Sequence, residues 1–251
     1  MKITKNIFFI LTIHTMFFVG INSLNAQTES DTQTFNGKKF NIFKIKLDNI
    51  SIKNFSFYEN EKYVKHNKLI DSISTDDFFI TTASIVDSNC LPIGLYVFNK
   101  QVIKNIETAD GNGNFFLKPN GALLITDNDV IVCQTSEINN HQNIKYGIQS
   151  GPMLIINSQI HPKFNSNSNN KHIRSAVGKY KNMNGEDFIV FAISQEEVTF
   201  FEMAQFFNKQ YNCSNALCIE SEGSVMSIPY ITNFSNENQN VICRYLIYNN
   251  Q

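Results

Sequence analysis

The stretch Phe40-Asn41-Ile42-Phe43-Lys44-Ile45-Lys46-Leu47-Asp48-Asn49-Ile50-Ser51-Ile52-Lys53-Asn54-Phe55-Ser56-Phe57 alternates apolar and polar residues. Phe43, Ile45 and Leu47 fall on one side of an extended chain, with Lys44 and Lys46 on the other. Ile50 with Ile52, and Phe55 with Phe57, repeat the spacing. Successive side chains of a strand point to opposite faces, so this pattern of β-branched and aromatic residues reads as half-buried strand. Similar patterns predict strands over 78–86, 94–98, 122–126, 130–134, 153–156, 188–193, 216–219 and 241–248. Gly, Asn or Asp separates many of them, as turn chemistry requires.

One helix stands out, over 199–212. Thr199 and Glu202 have the spacing of a capping box, and Val198 and Met203 that of a hydrophobic staple. Phe200, Met203, Ala204, Phe207 and Tyr211 line one face, a stripe that core packing explains in full. A shorter helix is predicted over 61–72. Residues 27–39 are largely polar and read as a flexible leader, leaving 40–251 as a single domain. Asn165-Ser166-Asn167-Ser168-Asn169-Asn170 is a low-complexity loop, and no internal repeat is visible.

The chain has 251 residues, 42% of them hydrophobic and 17% charged, with net charge −1. That is enough apolar material for one substantial core. A near-neutral balance, with pI ≈ 6.5, argues against a nucleic-acid partner or a polybasic membrane surface. At the N-terminus, Lys2 and Lys5 precede an apolar run from Ile7 to Ile21, followed by Asn22-Ser23-Leu24-Asn25-Ala26. This reads as a signal peptide over 1–26, cleaved after Ala26, in preference to an uncleaved anchor. No later run is long enough to span a bilayer. The expected product is exported, periplasmic or extracellular. Five Cys (Cys90, Cys133, Cys213, Cys218, Cys243) then cannot all pair. Their spacing completes no zinc pattern, and His161 and His172 have no partner motif, so no metal and no cofactor is expected. Buried thiols, with none or one bridge among them, fit best.

Three segments are richer in Gly and polar residues than strand ends need. They are Thr108 to Gly121, Ile148-Gln149-Ser150-Gly151-Pro152, and Glu220-Ser221-Glu222-Gly223-Ser224. The first reads as a tight loop in preference to a phosphate cradle, since no Lys-Ser/Thr follows its glycines. The second lacks the serine-hydrolase elbow. Two carboxylates in the third are equally an acid/base site or a charged turn. Arg174, the only Arg before position 244, suits bidentate recognition of phosphate or carboxylate. Unaided, these residues indicate an exported β-rich domain, with hydrolysis one reading.

Taken in order, the segments resemble the phosphodiester glycosidase family. The likeness rests on Pro92-Ile93-Gly94-Leu95-Tyr96-Val97, "GNFFLKPNG" ending at Gly121, "IQSGPMLI" with "IHPKF" after it, "IRSAVG" around Arg174, "VFAIS" from Val190, "VTFFEMAQFF" and "CSNALCIE". It runs from about Phe40 to Tyr230. It implies a mixed α/β (α+β) fold, mostly antiparallel sheets flanked by a few helices. It also implies hydrolysis of a sugar-1-phosphodiester, with a carbohydrate ligand. By resemblance, Glu220, Arg174 and Thr82 are the catalytic group, with Arg174 clamping the phosphate. Gln149, Ser150, Gly151, Asn114, Lys118, Asn120 and Ser224 would bind substrate. Three departures stand out: Thr82-Ala83-Ser84 where the family reads Asn-Ala-Gly, Arg174-Ser175-Ala176 for Arg-Asn-Gly, and Glu220-Ser221-Glu222 for Asp-Gly and small residues. Glu is one methylene longer than Asp, and a misplacement of about 1 Å can cost on the order of a hundredfold in rate. The departures therefore imply a changed substrate, or a catalytically impaired member that binds carbohydrate or protein.

Overall fold

A computed structural model describes residues 27–49, 51–65, 78–220, 223–229, 231, 234–235 and 241–249. The signal-peptide reading, and the 66–72 part of the second predicted helix, lie outside these residues. The alternating stretch that begins at Phe40 forms β2 (Lys38–Lys46) of a seven-stranded sheet. Its other members are β1 (Thr28–Phe35), β10 (Met153–Ile156), β11 (Gln159–Ile160), β12 (Ser175–Lys181), β13 (Asp187–Ser194) and β14 (Asn215–Glu220). Their order is β1-β2-β13-β12-β14-β10-β11. A five-stranded sheet follows the order β16-β15-β4-β17-β3. Here β3 is Phe55–Lys65, β4 Phe78–Thr82, β15 Val225–Ser227, β16 Phe234–Ser235 and β17 Val241–Asn249. The third sheet has the order β6-β5-β9-β7-β8. It is built from β5 (Tyr96–Phe98), β6 (Gln101–Lys104), β7 (Gly121–Thr126), β8 (Val130–Gln134) and β9 (Ile144–Ser150).

Every described ladder between named strands is antiparallel. The antiparallel sheets are as expected, but the fold is more β than the mixed α/β label, with α-helix among the described residues confined to 200–211. The alternation explains the layering. Phe43 and Ile45 point from β2 into a core shared by all three sheets, with Phe55, Phe79, Leu123, Phe191, Leu217 and Leu246. Phe43 stacks on Phe79 with centroids 4.6 Å apart. Ile42, one position out of phase, faces the opposite side and packs with Val190, Ala192, Met203, Phe206 and Phe207. Each such side chain taken out of water contributes roughly 1.5–3 kcal/mol.

Helix α1 (Phe200–Tyr211) supplies that second face. Thr199 Oγ1 accepts from the Glu202 amide at 3.1 Å, and Glu202 Oε2 accepts from the Thr199 amide at 2.7 Å, so the expected capping box is formed. Val198 and Met203 are both fully buried. Asn212, at φ 49, closes the helix in the left-handed conformation that Asn tolerates.

Two sequence expectations are corrected. Residues 28–35, expected to be a loose leader, form β1 and pair with β2 along their whole length. The second predicted helix fails at its start, since Glu61 to Lys65 belong to β3. Cys90 and Cys243 form a disulfide, and Cys133, Cys213 and Cys218 are free and buried. Burial pushes the Cys133 and Cys218 thiols up to about 12, and the Cys213 thiol up as well. An aromatic disulfide reagent is expected to find no thiol in native protein, three after unfolding without reductant, and five after reduction. A native-state signal would contradict the burial of all three.

Candidate functional site

The chain passes from the third sheet to the seven-stranded sheet at Gly151-Pro152, between β9 and β10. This corner gathers the expected site segments. Gly121 pairs with Ser150, and Ala122 with Gln149. A Cβ on Gly151 would lie 2.7 Å from Asn120 Cβ and 2.9 Å from the Phe115 carbonyl oxygen, so only glycine fits there. Asn120 is buried, its Nδ2 donating to the Phe115 carbonyl at 3.1 Å and its Oδ1 accepting from Thr135 Oγ1 at 2.8 Å. Ser150 Oγ donates to the Ile219 carbonyl at 2.9 Å. The Cys218 amide donates to the Pro152 carbonyl at 3.0 Å. The Gln149–Gly151 corner and the end of β14, which carries Glu220, are therefore one structural unit.

The end of β14 collects a second group. Ser175 pairs with Glu220 across the β12–β14 ladder. Thr82, at the end of β4, directs Oγ1 to the Gly223 carbonyl at 3.4 Å, and Ser224 Oγ donates to the Glu220 carbonyl at 2.9 Å. A Cβ on Gly223 would sit 4.0 Å from the Glu220 carboxyl carbon. Glu220 is half-buried, whereas Thr82 and Ser224 are buried. The three positions where the sequence departs from the family pattern, at Thr82, Ser175 and Glu220, are thus neighbours in space.

Arg174 takes a different place from the expected phosphate clamp. It is completely buried, with Nε donating to the Val198 carbonyl at 2.8 Å and Nη2 to the Asn170 carbonyl at 3.0 Å. Its guanidinium carbon lies 3.7 Å from the centroid of the Phe200 ring. Phe200 stacks on Phe164 at 5.5 Å, and Phe164 on His161 at 4.7 Å. A planar cation favours such an aromatic face, and two of its donor positions satisfy main-chain carbonyls. Burial, which a sequence does not display, encloses this guanidinium within the protein.

Gln149 is likewise fully buried. Its Oε1 accepts from the Leu95 amide at 3.0 Å and the Glu107 amide at 2.8 Å. Its Nε2 donates to the Glu107 carbonyl at 2.7 Å and to Thr135 Oγ1 at 3.2 Å. Protein groups thus fill both donor and both acceptor positions, which leaves no hydrogen bond for substrate. Lys118 is accessible. Its Nζ donates to the Thr108 carbonyl at 2.6 Å and to Asp110 Oδ1 at 2.7 Å, and this bond holds the Asp110 carboxyl below the usual carboxylate range. Asn114 is half-buried and opens a one-turn helix, Asn114–Phe116. The glycines before it serve the loop: a Cβ on Gly111 would strike the Phe116 ring at 2.8 Å, and Gly113 has φ +94.

A cleft of about 600 Å³ opens beside the Gly151 corner, lined by Ile106, Glu107, Thr108, Lys118, Asn120 and Thr135 among others. Sequence reasoning missed Glu107, which lies in a stretch without periodicity. Among the described residues, no group of three or more His, Cys, Asp or Glu is arranged to hold a metal ion. No described helix is long and apolar enough to cross a membrane.

Residues 68–226 match the phosphodiester glycosidase family. The chain belongs to that family. It is 31% identical over 142 residues to YigE of Escherichia coli (strain K12), an uncharacterized protein. The match takes in 57% of this chain and 54% of YigE, so the chain spans about half the length of that relative. A hypothetical protein from Synechocystis aligns over 88% of this chain and 61% of its own, with TM-score 0.50 and 10% identity, a likeness of fold alone.

Two outcomes follow from the corner. Gly151→Ala forces its Cβ onto Asn120 and the Phe115 carbonyl, and is expected to cost about 1–3 kcal/mol in chemical denaturation. An unchanged midpoint would contradict the close approach. Burial holds the His161 pKa below its ordinary 6.5, the Lys118 backbone acting in the opposite direction and Lys163 with the burial. The unfolded chain binds that proton first, so the contribution is present above pH 6.5 and is lost as pH falls below it. Unfolding midpoints measured on the acid side of that value should fall less steeply in His161→Phe than in the parent.

Proposed function

We propose that this protein is an exported hydrolase that cleaves a sugar-1-phosphodiester and releases the sugar, in turnover of cell-surface or cell-wall glycan. Membership of the phosphodiester glycosidase family supports the reaction class. The single observation that carries the site is that the end of β4 meets the segment after β14, where Thr82 Oγ1 reaches the Gly223 carbonyl and Ser224 Oγ the main-chain carbonyl of the half-buried Glu220. Cleavage at an anomeric carbon proceeds through oxocarbenium character, which a nearby carboxylate stabilises. In this reading Glu220 supplies that charge. The leaving phosphate monoester needs little proton donation but benefits from a cation, and Lys118 is the accessible one in the cleft. Arg174 then acts through packing, holding the turn that leads into Ser175 and its partner Glu220. Export is supported by Lys2 and Lys5 ahead of the apolar run, and by the Cys90–Cys243 bridge, which suits an oxidising compartment.

A second reading is a family member that binds carbohydrate or a protein partner without turnover. It is favoured by the contiguity of Thr82, Ser175 and Glu220, three departures gathered in one place. Hydrolysis of a broad panel of sugar-1-phosphodiesters separates the two. Release of sugar by the parent, reduced at least a hundredfold in Glu220→Gln with unfolding unchanged, is the expected result. A parent that binds the panel without release sinks the hydrolase and leaves the binder standing.

A further inference from the structure

The segment 105–113 has neither helix nor strand, yet its Glu107 is tied down at both main-chain polar groups. Both its amide and its carbonyl are bonded to one side chain, that of Gln149, at 2.8 and 2.7 Å. A fully buried amide side chain is costly unless satisfied, and two of the four hydrogen bonds that satisfy Gln149 hold residue 107. The same Nε2 reaches Thr135 Oγ1, which in turn donates to Asn120 Oδ1. One buried network therefore sets Glu107, Thr135 and Asn120 around the same cleft. Glu107 is the sole carboxylate among the residues lining it. Its Oε1 accepts from the Ala109 amide at 2.7 Å, which orients the group, and no other donor among the described residues engages it.

We infer that Glu107 is a ligand-contacting residue, its carboxylate accepting hydroxyl groups of a sugar ring bound in the cleft, and that Gln149 is its positioning residue. The chemistry of the lining fits such a ligand. A carboxylate accepts two adjacent hydroxyls, the Asn139 amide, the Gln134 amide and the Ser136 hydroxyl donate or accept, and Ile106 supplies an apolar wall. Lys118, in the same lining, meets a phosphate attached to that ring. This assignment rests on the sugar-ligand part of the proposed function but not on turnover.

The test is calorimetric titration of the intact protein with glucose 1-phosphate, galactose 1-phosphate, N-acetylglucosamine 1-phosphate and the three free sugars. The parent is expected to bind at least one of them. Glu107→Gln should weaken that binding ten- to a hundredfold, Glu107→Asp by less, and Lys104→Ala, outside the cleft, not at all. Gln149→Leu should weaken it similarly; because this buried change can compromise folding, Glu107→Gln, which removes no packing, decides the matter alone. Equal affinity in the parent and Glu107→Gln overturns the assignment, and so does a parent that binds none of the six at millimolar concentration. Binding that depends on Glu107 with no hydrolysis of any phosphodiester upholds it while the hydrolase reading falls.

Discussion

The Gly151 corner is the constraint on which the arrangement depends. There the chain leaves one sheet and enters another, so both sheets must meet within the length of two residues, Gly151 and Pro152. The crossing works because position 151 has no side chain, with Asn120 and the Phe115 carbonyl occupying the space a Cβ would need. The Ser150 hydroxyl and the Pro152 carbonyl then grip β14 from one side of the corner and the other. Because β14 also pairs with β12, the position of Glu220 relative to Ser175 is inherited from this crossing. A change at Gly151 therefore reaches Glu220 through β14, the strand next to β10.

Burial divides the expected site residues into two kinds. Arg174, Gln149, Ser150 and Asn120 are polar groups whose partners are mostly main-chain atoms of other segments. Removing one partner from such a pair strands the other out of water, a cost of about 1–3 kcal/mol that explains why a fold retains them. Glu220, Lys118 and Glu107 keep some exposure. Of these, Lys118 and Glu107 line the cleft with Asn120, whereas Glu220 stands at the end of β14.

Much of the frame was legible in the residues. The alternation around Phe43 foretold β2, and the Thr199–Glu202 pair foretold the start of α1. What escaped notice has physical reasons. β1 lies at a sheet edge with half of its residues exposed, so Thr28 to Phe35 need no apolar alternation to pair. Glu61 to Lys65 mix charged residues with Tyr63 and Val64 and carry no clear period, and pairing of Val64 and Lys65 with β17 makes them strand. Arg174 reads as a ligand clamp because a sequence shows a charge but not the Phe200 ring beneath it. Glu107 is unreadable for the opposite reason: its anchor, Gln149, lies 42 residues away, and neither residue has a motif that names the other.

The strand order of the second sheet has a bearing on how the molecule is assembled in time. β17, the last described strand, lies between β3 and β4, and Cys243 within it is bridged to Cys90 across 153 residues. Until residues 241–249 are available, β3 and β4 have no strand between them and the shared core stays open on that side. A ribosome or a translocation channel delivers the amino-terminal portion first, so early segments must wait, with apolar faces uncovered, for the latest one. Closure of this layer is therefore a late event, and the bridge records that it has happened.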